Sequence, residues 1–474
     1  MKELLNGMTQ RKEHGGNMTI FDKFETITTF LDDLTPKIVI LALCIVIMVL
    51  IIDAKRKLGN RKKQIKTDSK AKAHGVVFGK KGMKVVYSPS DQEGHIVCMG
   101  GSGVGKTSSL LIPTLRSWDS TCLVVDIAGD ICRNVDMPNK IIYEPANPNS
   151  IPYNIFGTID NLENEDDQNE TLEELAFLMM PDDERMSDAS KFFNTEGRKI
   201  LTAALISFYH ARMDFIPICE KVINSSWKEL FNAIDATGYS KGTQYLNSFV
   251  GTSEQNTAGA KQATDSVLKL FGTNERVKAT IRRPNKNEVA FTPAILEKKS
   301  VFIVIDDSRL KLYASLLHII TAQSLEFFSN RSNDSKTTIL FCLDEFASLG
   351  KLEIIDALRK LRKKHIRLLI LTQSLPDIDL VYGREERMAM MNNFRFTVLM
   401  NATDADTQEY YAKIIGYKDT TRHSTSSNSR QTTHTESESK EFIVEPAELA
   451  RLGDNLILLH PDGHMILKKN YYFK

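Results

Sequence analysis

Short, nearly continuous apolar runs punctuate the chain at His95–Met99, Thr337–Leu343, Ile366–Leu371 and Leu456–Leu459. Runs of this length bounded by polar or glycine-rich residues predict buried strands. Between and after the first two, apolar residues recur at three- and four-residue spacing over Leu172–Met180, Phe192–Arg212, Ser226–Ile234, Gln262–Phe271 and Leu352–Lys364. That period predicts amphipathic helices. Buried strands combined with helices of this kind imply an α/β fold. Two segments fit neither period. Ile38–Ile52 is a run of 15 uncharged apolar residues, and Lys418–Glu441 is a Ser/Thr-rich tract with no Gly, Pro, aromatic or aliphatic residue.

As a helix the first of these covers about 22 Å, against a hydrocarbon core of roughly 30 Å. Leu34, Pro36 and the stems of Lys37 and Lys55 can make up the difference, because long cationic side chains carry their charge out to the headgroups. Residues 36–54 are therefore expected to span a membrane once. Nine basic residues between Lys55 and Lys72, balanced only by Asp53 and Asp68, predict that everything downstream lies in the cytoplasm and that residues 1–35 lie outside it. Residues 55–72 form a basic juxtamembrane linker. The polar tract 418–441 cannot bury a face and is expected to be disordered.

Overall charge adds little, since 61 Lys and Arg offset 60 Asp and Glu. With 26% charged and 42% hydrophobic residues, the chain is neither wholly disordered nor a multi-spanning membrane protein. Its six cysteines include no C-x-x-C pair, which argues for a reducing compartment and against a zinc site or disulfide framework. Local charge is more informative: residues 160–188 hold twelve Asp or Glu and one basic residue, Arg185. This stretch either docks a basic partner or is a solvated face.

The chemistry concentrates at strand ends. His95–Met99 runs into Gly100, Gly101, Ser102, Gly103, Val104, Gly105, Lys106, Thr107 and Ser108, followed by a helical stretch to Trp118. Strand, G-x-x-x-x-G-K-[ST] and helix in that order form a phosphate-binding loop. Its glycines let backbone N–H groups converge on phosphate oxygens, Lys106 reaches the β- and γ-phosphates, and the Thr107 hydroxyl ligates Mg²⁺. A second strand, Thr337–Leu343, ends in Asp344-Glu345. Asp344 is the expected metal carboxylate and Glu345 the expected general base for an attacking water. The strand at Ile366–Leu371 leads to Gln373, whose amide is placed to bond the γ-phosphate and that water. In the helix Leu352–Lys364, at about 100° per residue, Arg362 falls inside the apolar arc of Ile354, Ile355, Leu358 and Leu361. A buried arginine is normally paired, so Arg362 either bonds a carboxylate of its own subunit or projects at a neighbour's nucleotide.

These residues resemble the type IV coupling proteins of conjugative DNA transfer, of the TraG/TraD type. The likeness rests on GGSGVGKTSS at 100–109, LVVDIAGD at 123–130, PYNIF at 152–156, LDEFASLGKL at 343–352, TQSLPDI at 372–378 and the closing EPAELARLGDNLILL. It covers roughly residues 73–474. It implies a RecA-like P-loop motor domain built from residues 73–156 and 291–474, an all-α domain at 157–290 that recognises cargo, ATP and Mg²⁺ as cofactors, and a hexameric ring. The implied function is a membrane-anchored, DNA-dependent ATPase. It would couple relaxase-bound DNA to a type IV secretion channel. Two departures stand out: the family's D-x-K-G-E pattern is Asp126-Ile127-Ala128-Gly129-Asp130 here, without the lysine, and one membrane span is found where two are common. The alternatives are a double-strand DNA translocase of the FtsK/SpoIIIE type, which usually adds a winged-helix module, and an ATP-binding docking receptor that does not hydrolyse. No basic helical module follows residue 441, and a pure receptor needs no hydrolytic carboxylate.

Overall fold

The computed structural model describes Met48 and residues 75–89, 94–182, 186–335, 337–352, 354–428 and 431–473. The expected membrane segment 36–54 lies outside these residues apart from Met48; among the described residues no helix is long and apolar enough to cross a membrane.

In chain order the strands are β1 (Val77–Lys81), β2 (Lys84–Tyr87), β3 (His95–Met99), β4 (Cys122–Ile127), β5 (Lys140–Tyr143), β6 (Ser300–Ile305), β7 (Ile339–Leu343), β8 (Ile366–Thr372), β9 (Phe394–Leu399), β10 (Tyr417–Asn428), β11 (Gln431–Phe442), β12 (Asn455–His460) and β13 (Gly463–Lys468). All but β10 and β11 join one sheet in the order β2-β1-β13-β12-β9-β3-β8-β7-β4-β6-β5. The block from β9 to β5 is parallel, and β12, β13, β1 and β2 extend it antiparallel. Every residue of β3, β7 and β8 is buried. Both faces of a parallel sheet are covered by its crossovers, which is why these strands carry unbroken apolar runs rather than an alternation. Leu456–Leu459, likewise a continuous apolar run, joins the sheet as β12 against β9.

Between β5 and β6 the chain leaves the sheet through nine consecutive α- and 3-10 segments from Ile159–Asn161 to Glu275–Thr280, among the described residues. Its two ends are clasped where Tyr153 bridges Ile281 and Phe291 and the rings of Tyr143, Tyr153 and Phe291 pack 5.0 to 6.1 Å apart. Polar groups lock the same neck. Arg283 donates through Nε and Nη2 to Asp160 at 3.0 and 2.7 Å, and Tyr209 donates to the same carboxylate at 3.1 Å. Arg282 forks onto Glu288 at 2.7 Å twice. The start of the acidic stretch is thus partly committed to the chain's own contacts: Asp160 holds the neck, and Glu165, Asp166 and Asp167 fill the first turn of the helix Glu165–Met179, where a negative charge favours the helix dipole. One continuous apolar core runs from β3, β4 and β7 through Tyr153 and Phe156 to Phe208 and Phe215 in the helical layer.

The tract expected to be disordered, 418–441, instead forms a hairpin in which β10 and β11 pair antiparallel from Tyr417↔Phe442 to Asn428↔Gln431. Lack of a burying face does not prevent a ladder of backbone hydrogen bonds, and threonine is among the better strand formers. At its base Tyr417 and Phe442 stack with ring centroids 4.7 Å apart.

Candidate functional site

Register brings the functional strand ends side by side. Met99 of β3 lies opposite Thr372 of β8 and Leu399 of β9, and Leu343 of β7 lies opposite Ile370. The residues that follow therefore emerge on one edge: Gly100, Gln373, Met400-Asn401 and Asp344-Glu345. Such convergence at the carboxyl ends of parallel strands is where ligands bind in open α/β sheets.

The phosphate loop turns through Gly103 (φ 73°) and Gly105 (φ 96°), conformations that favour glycine. Ser102 and Gly103 are exposed at its tip, Val104 is half-buried, and Lys106 is buried. A Cβ on Gly100 would stand 2.8 Å from Val104 Cγ2 and 3.0 Å from Met400 Cβ, so close packing requires glycine there too. Lys106 Nζ donates to the carbonyls of Gly100 at 2.7 Å and Gly101 at 3.2 Å, which holds the ammonium across the mouth of its own loop. The chain then winds through a π-turn, Thr107–Leu111, into the helix Ile112–Ser117.

Thr107 Oγ1 donates to Asp344 Oδ2 at 3.2 Å, so the two expected metal ligands, from residues far apart in sequence, meet. Asp344 also accepts from the Glu345 N–H at 3.1 Å. Burial, and then the neighbouring Glu345 charge, push its carboxyl up to about 6, against the opposing pull of Lys106. A buried carboxylate so short of positive charge, facing a threonine hydroxyl, is a donor set suited to Mg²⁺, which binds through one or two protein oxygens plus substrate phosphates. Glu345 takes a left-handed conformation (φ 48°), uncommon for a residue with a side chain and characteristic of functional turns. Gln373 Nε2 donates to Glu345 Oε2 at 3.1 Å, fixing the expected base rather than standing apart from it.

Arg362 does not behave as the helical arc predicts. The helix ends at Lys360 and tightens into a 3-10 turn, Leu361–Lys364, so the 100° placement fails at that residue. Arg362 is exposed, and among the described residues no carboxylate pairs with it. It precedes β8, at the sheet edge opposite the phosphate loop.

Two features were not legible in the sequence. Asn401 Oδ1 accepts from the Gly101 N–H at 2.8 Å and so positions the loop; only its place just after a buried strand could have pointed to it. The segment after β13 also lies on the loop, with the Tyr472 N–H donating to the Ser108 carbonyl at 3.1 Å. At the departing motif, Asp126 accepts from the N–H groups of Ile131 and Cys132 at 3.3 and 2.6 Å, and Ala128 takes a left-handed turn (φ 82°).

Residues 49–474 match the family described as Type IV secretory system Conjugative DNA transfer. A conjugal transfer protein TraG of Rhizobium radiobacter is 24% identical over 78% of this chain and 61% of its own length. The chain thus spans about three fifths of the length of that curated relative. Among solved structures, the unbound bacterial conjugative coupling protein TrwBdeltaN70 superposes with a TM-score of 0.68 at 21% identity, over 86% of this chain and 90% of that one. The same coupling protein in complex with ADP and Mg²⁺ gives 0.67 at 20% identity, over 85% and 90%.

Proposed function

This chain belongs to the family of type IV secretory system conjugative DNA transfer proteins, and from that premise we propose that it is an ATPase coupling relaxase-bound DNA to a type IV secretion channel. The observation that carries this reading is the meeting of Lys106, Thr107 and a buried Asp344 at one strand edge, with Glu345 and Gln373 directly beyond them. The similar coupling protein solved with ADP and Mg²⁺ supports the same ligands here.

In this site the loop amides and Lys106 hold the phosphates, and Thr107 Oγ1 and Asp344 offer oxygens to Mg²⁺. The bound magnesium nucleotide supplies the phosphoanhydride bond to be cleaved and neutralises its developing charge. Glu345 accepts the proton of the attacking water, and Gln373 keeps that carboxylate pointed at it. Lys106 leaves the carbonyls of Gly100 and Gly101 to reach the phosphates. In a hexameric ring Arg362, exposed and away from its own phosphate loop, would serve the site of the neighbouring subunit. Residues 36–54 would anchor the protein in the cytoplasmic membrane with the motor in the cytoplasm, and the helical layer at 157–290 would receive cargo and channel proteins.

The test is the ATPase rate of the detergent-solubilised full chain without DNA, with single-stranded DNA and with duplex, using Glu345→Gln as the blank. Hydrolysis that requires DNA and falls at least about 100-fold in the blank, the scale of losing a general base, is expected. ATP binding without turnover in every condition would overturn the motor and leave a docking receptor.

A further inference from the structure

Three consecutive aromatic residues follow β13, and they stand against the phosphate loop rather than in the core. A Cβ added to Gly105 would lie 3.0 Å from Tyr471 Cε1, so that ring touches the loop. The ring centroids of Tyr471 and Phe473 are 5.3 Å apart with planes 33° apart, and Tyr472 meets Phe473 edge-on at 5.1 Å. Phe473 is 62% exposed.

A segment that served only to close the sheet would bury these rings. Instead the backbone on either side is fastened while the outermost ring stays in water. Lys469 donates through its N–H to Asp454 O at 2.9 Å and through Nζ to Gly453 O at 2.6 Å. Tyr472 bonds Ser108, and Arg116 donates to the Tyr472 carbonyl at 3.3 Å while its guanidinium lies 4.8 Å above the Tyr472 ring. The rings are held still at an energetic cost already met in folding, which is how a binding surface is preorganised.

Topology says which part of a nucleotide they face. Asp344, Glu345 and Gln373 follow β7 and β8, on one side of β3, and fix where the terminal phosphate lies. The aromatic segment arrives from β13, on the other side of β3, and meets the loop at Gly105 and Ser108. The nucleoside end of a triphosphate must leave on that side.

We infer that Tyr471 and Phe473 form the platform on which the purine base of the nucleotide stacks, a subsite that rests on the nucleotide-binding reading above. Every base offers a π-face to such a platform, so stacking alone holds ATP and GTP about equally well.

Binding separates the two claims. The full chain in detergent is titrated with Mg-ATP and, separately, with Mg-tripolyphosphate, which has the phosphates and no base. Phe473→Ala and Tyr471→Ala are expected to weaken ATP about tenfold each, at the lower end of what one lost base–aromatic stack costs, and to leave tripolyphosphate unchanged. Phe473→Trp restores ATP affinity, whereas a purely structural ring would not require aromaticity. Wild-type ATP affinity in Phe473→Ala and Tyr471→Ala, with melting temperatures unchanged, overturns the platform while leaving the phosphate site intact. Equal losses for ATP and tripolyphosphate would also overturn it, since the rings would then be supporting the loop. Wild-type protein that binds neither probe overturns the nucleotide reading itself.

Discussion

The two edges of the parallel sheet treat polar side chains in opposite ways. At the carboxyl edge Lys106, Thr107, Asp344, Glu345, Gln373 and Asn401 come from four different strand ends and bond to one another or to the phosphate loop. At the amino edge His95 is buried as a strap, donating through Nε2 to Leu358 O at 2.9 Å and accepting at Nδ1 from the Leu368 N–H at 3.1 Å, while Arg362 stands in solvent. The strands from β9 to β5 run parallel, so all their exit turns gather on one edge. Groups far apart in sequence can be combined there, whereas at the amino edge the buried His95 ties a strand to the chain around it and serves the fold.

The largest effect should follow from cutting the carboxyl edge at its centre. Lys106→Ala removes the only lysine of the loop and is expected to weaken Mg-ATP binding by more than about 100-fold, the scale of a lost charge-assisted contact to phosphate in a buried site. Calorimetric titration checks it. Retention of affinity would mean that the loop amides suffice, and the contrast between the edges would lose its chemical basis.

Proton titration sets the edges against each other. The Asp344 carboxyl is raised from 3.8 to about 6 by burial and by Glu345, so its contribution to stability is present below about pH 4 and lost as pH rises through 6. His95 is lowered from 6.5 to about 4 by burial, so its contribution is present above about pH 6.5 and lost as pH falls through 4. In nucleotide-free protein, Asp344→Asn should therefore raise the melting temperature by about 2 °C near pH 7.5 and by nothing near pH 4. His95→Gln should lower it more near pH 7.5 than near pH 4.5. Thermal scans showing equal shifts at both pH values would erase the opposition.

A smaller change sharpens the boundary of the site. Asn401→Ala leaves the Gly101 N–H without its acceptor, and a net hydrogen bond worth about 1 kcal/mol should cost roughly fivefold in nucleotide affinity. Unchanged affinity would make Asn401 a bystander of the loop. The smallest effect belongs to the amino edge: Arg362→Ala should shift stability by less than about 0.5 kcal/mol and leave nucleotide affinity unchanged. Mixing Arg362→Ala with Glu345→Gln chains should restore part of the ATPase rate if Arg362 acts across a subunit boundary. No rescue, with each single variant folded, would return Arg362 to ordinary surface charge.

What could be read in advance follows the range over which each feature is specified. The phosphate loop was legible because strand, turn and helix are contiguous, so Gly100 to Thr107 carry their own geometry. Asp344 and Glu345 were legible for a similar reason, as acids at the end of an apolar run. The pairing in the polar tract 418–441 is not legible in the sequence because a missing apolar face is no bar to a ladder of backbone hydrogen bonds between β10 and β11. The exposure of Arg362 escapes the sequence because placement at 100° per residue holds only along a uniform α-helix, and the switch to a 3-10 turn at Leu361 depends on how the chain must bend to enter β8.

The sequence alone thus determined the local chemistry: a phosphate loop, two acids and an amide, each at the end of its own strand. Only the tertiary structure decided their order in space. Strand β3 lies between β8 and β9, which brings Gln373 to one flank of the loop and Asn401 to the other, and β13 lies far enough along the same flank to deliver Tyr471 to Gly105. Strand order depends on which faces and edges pack best together over the whole sheet, a property no local run of residues encodes.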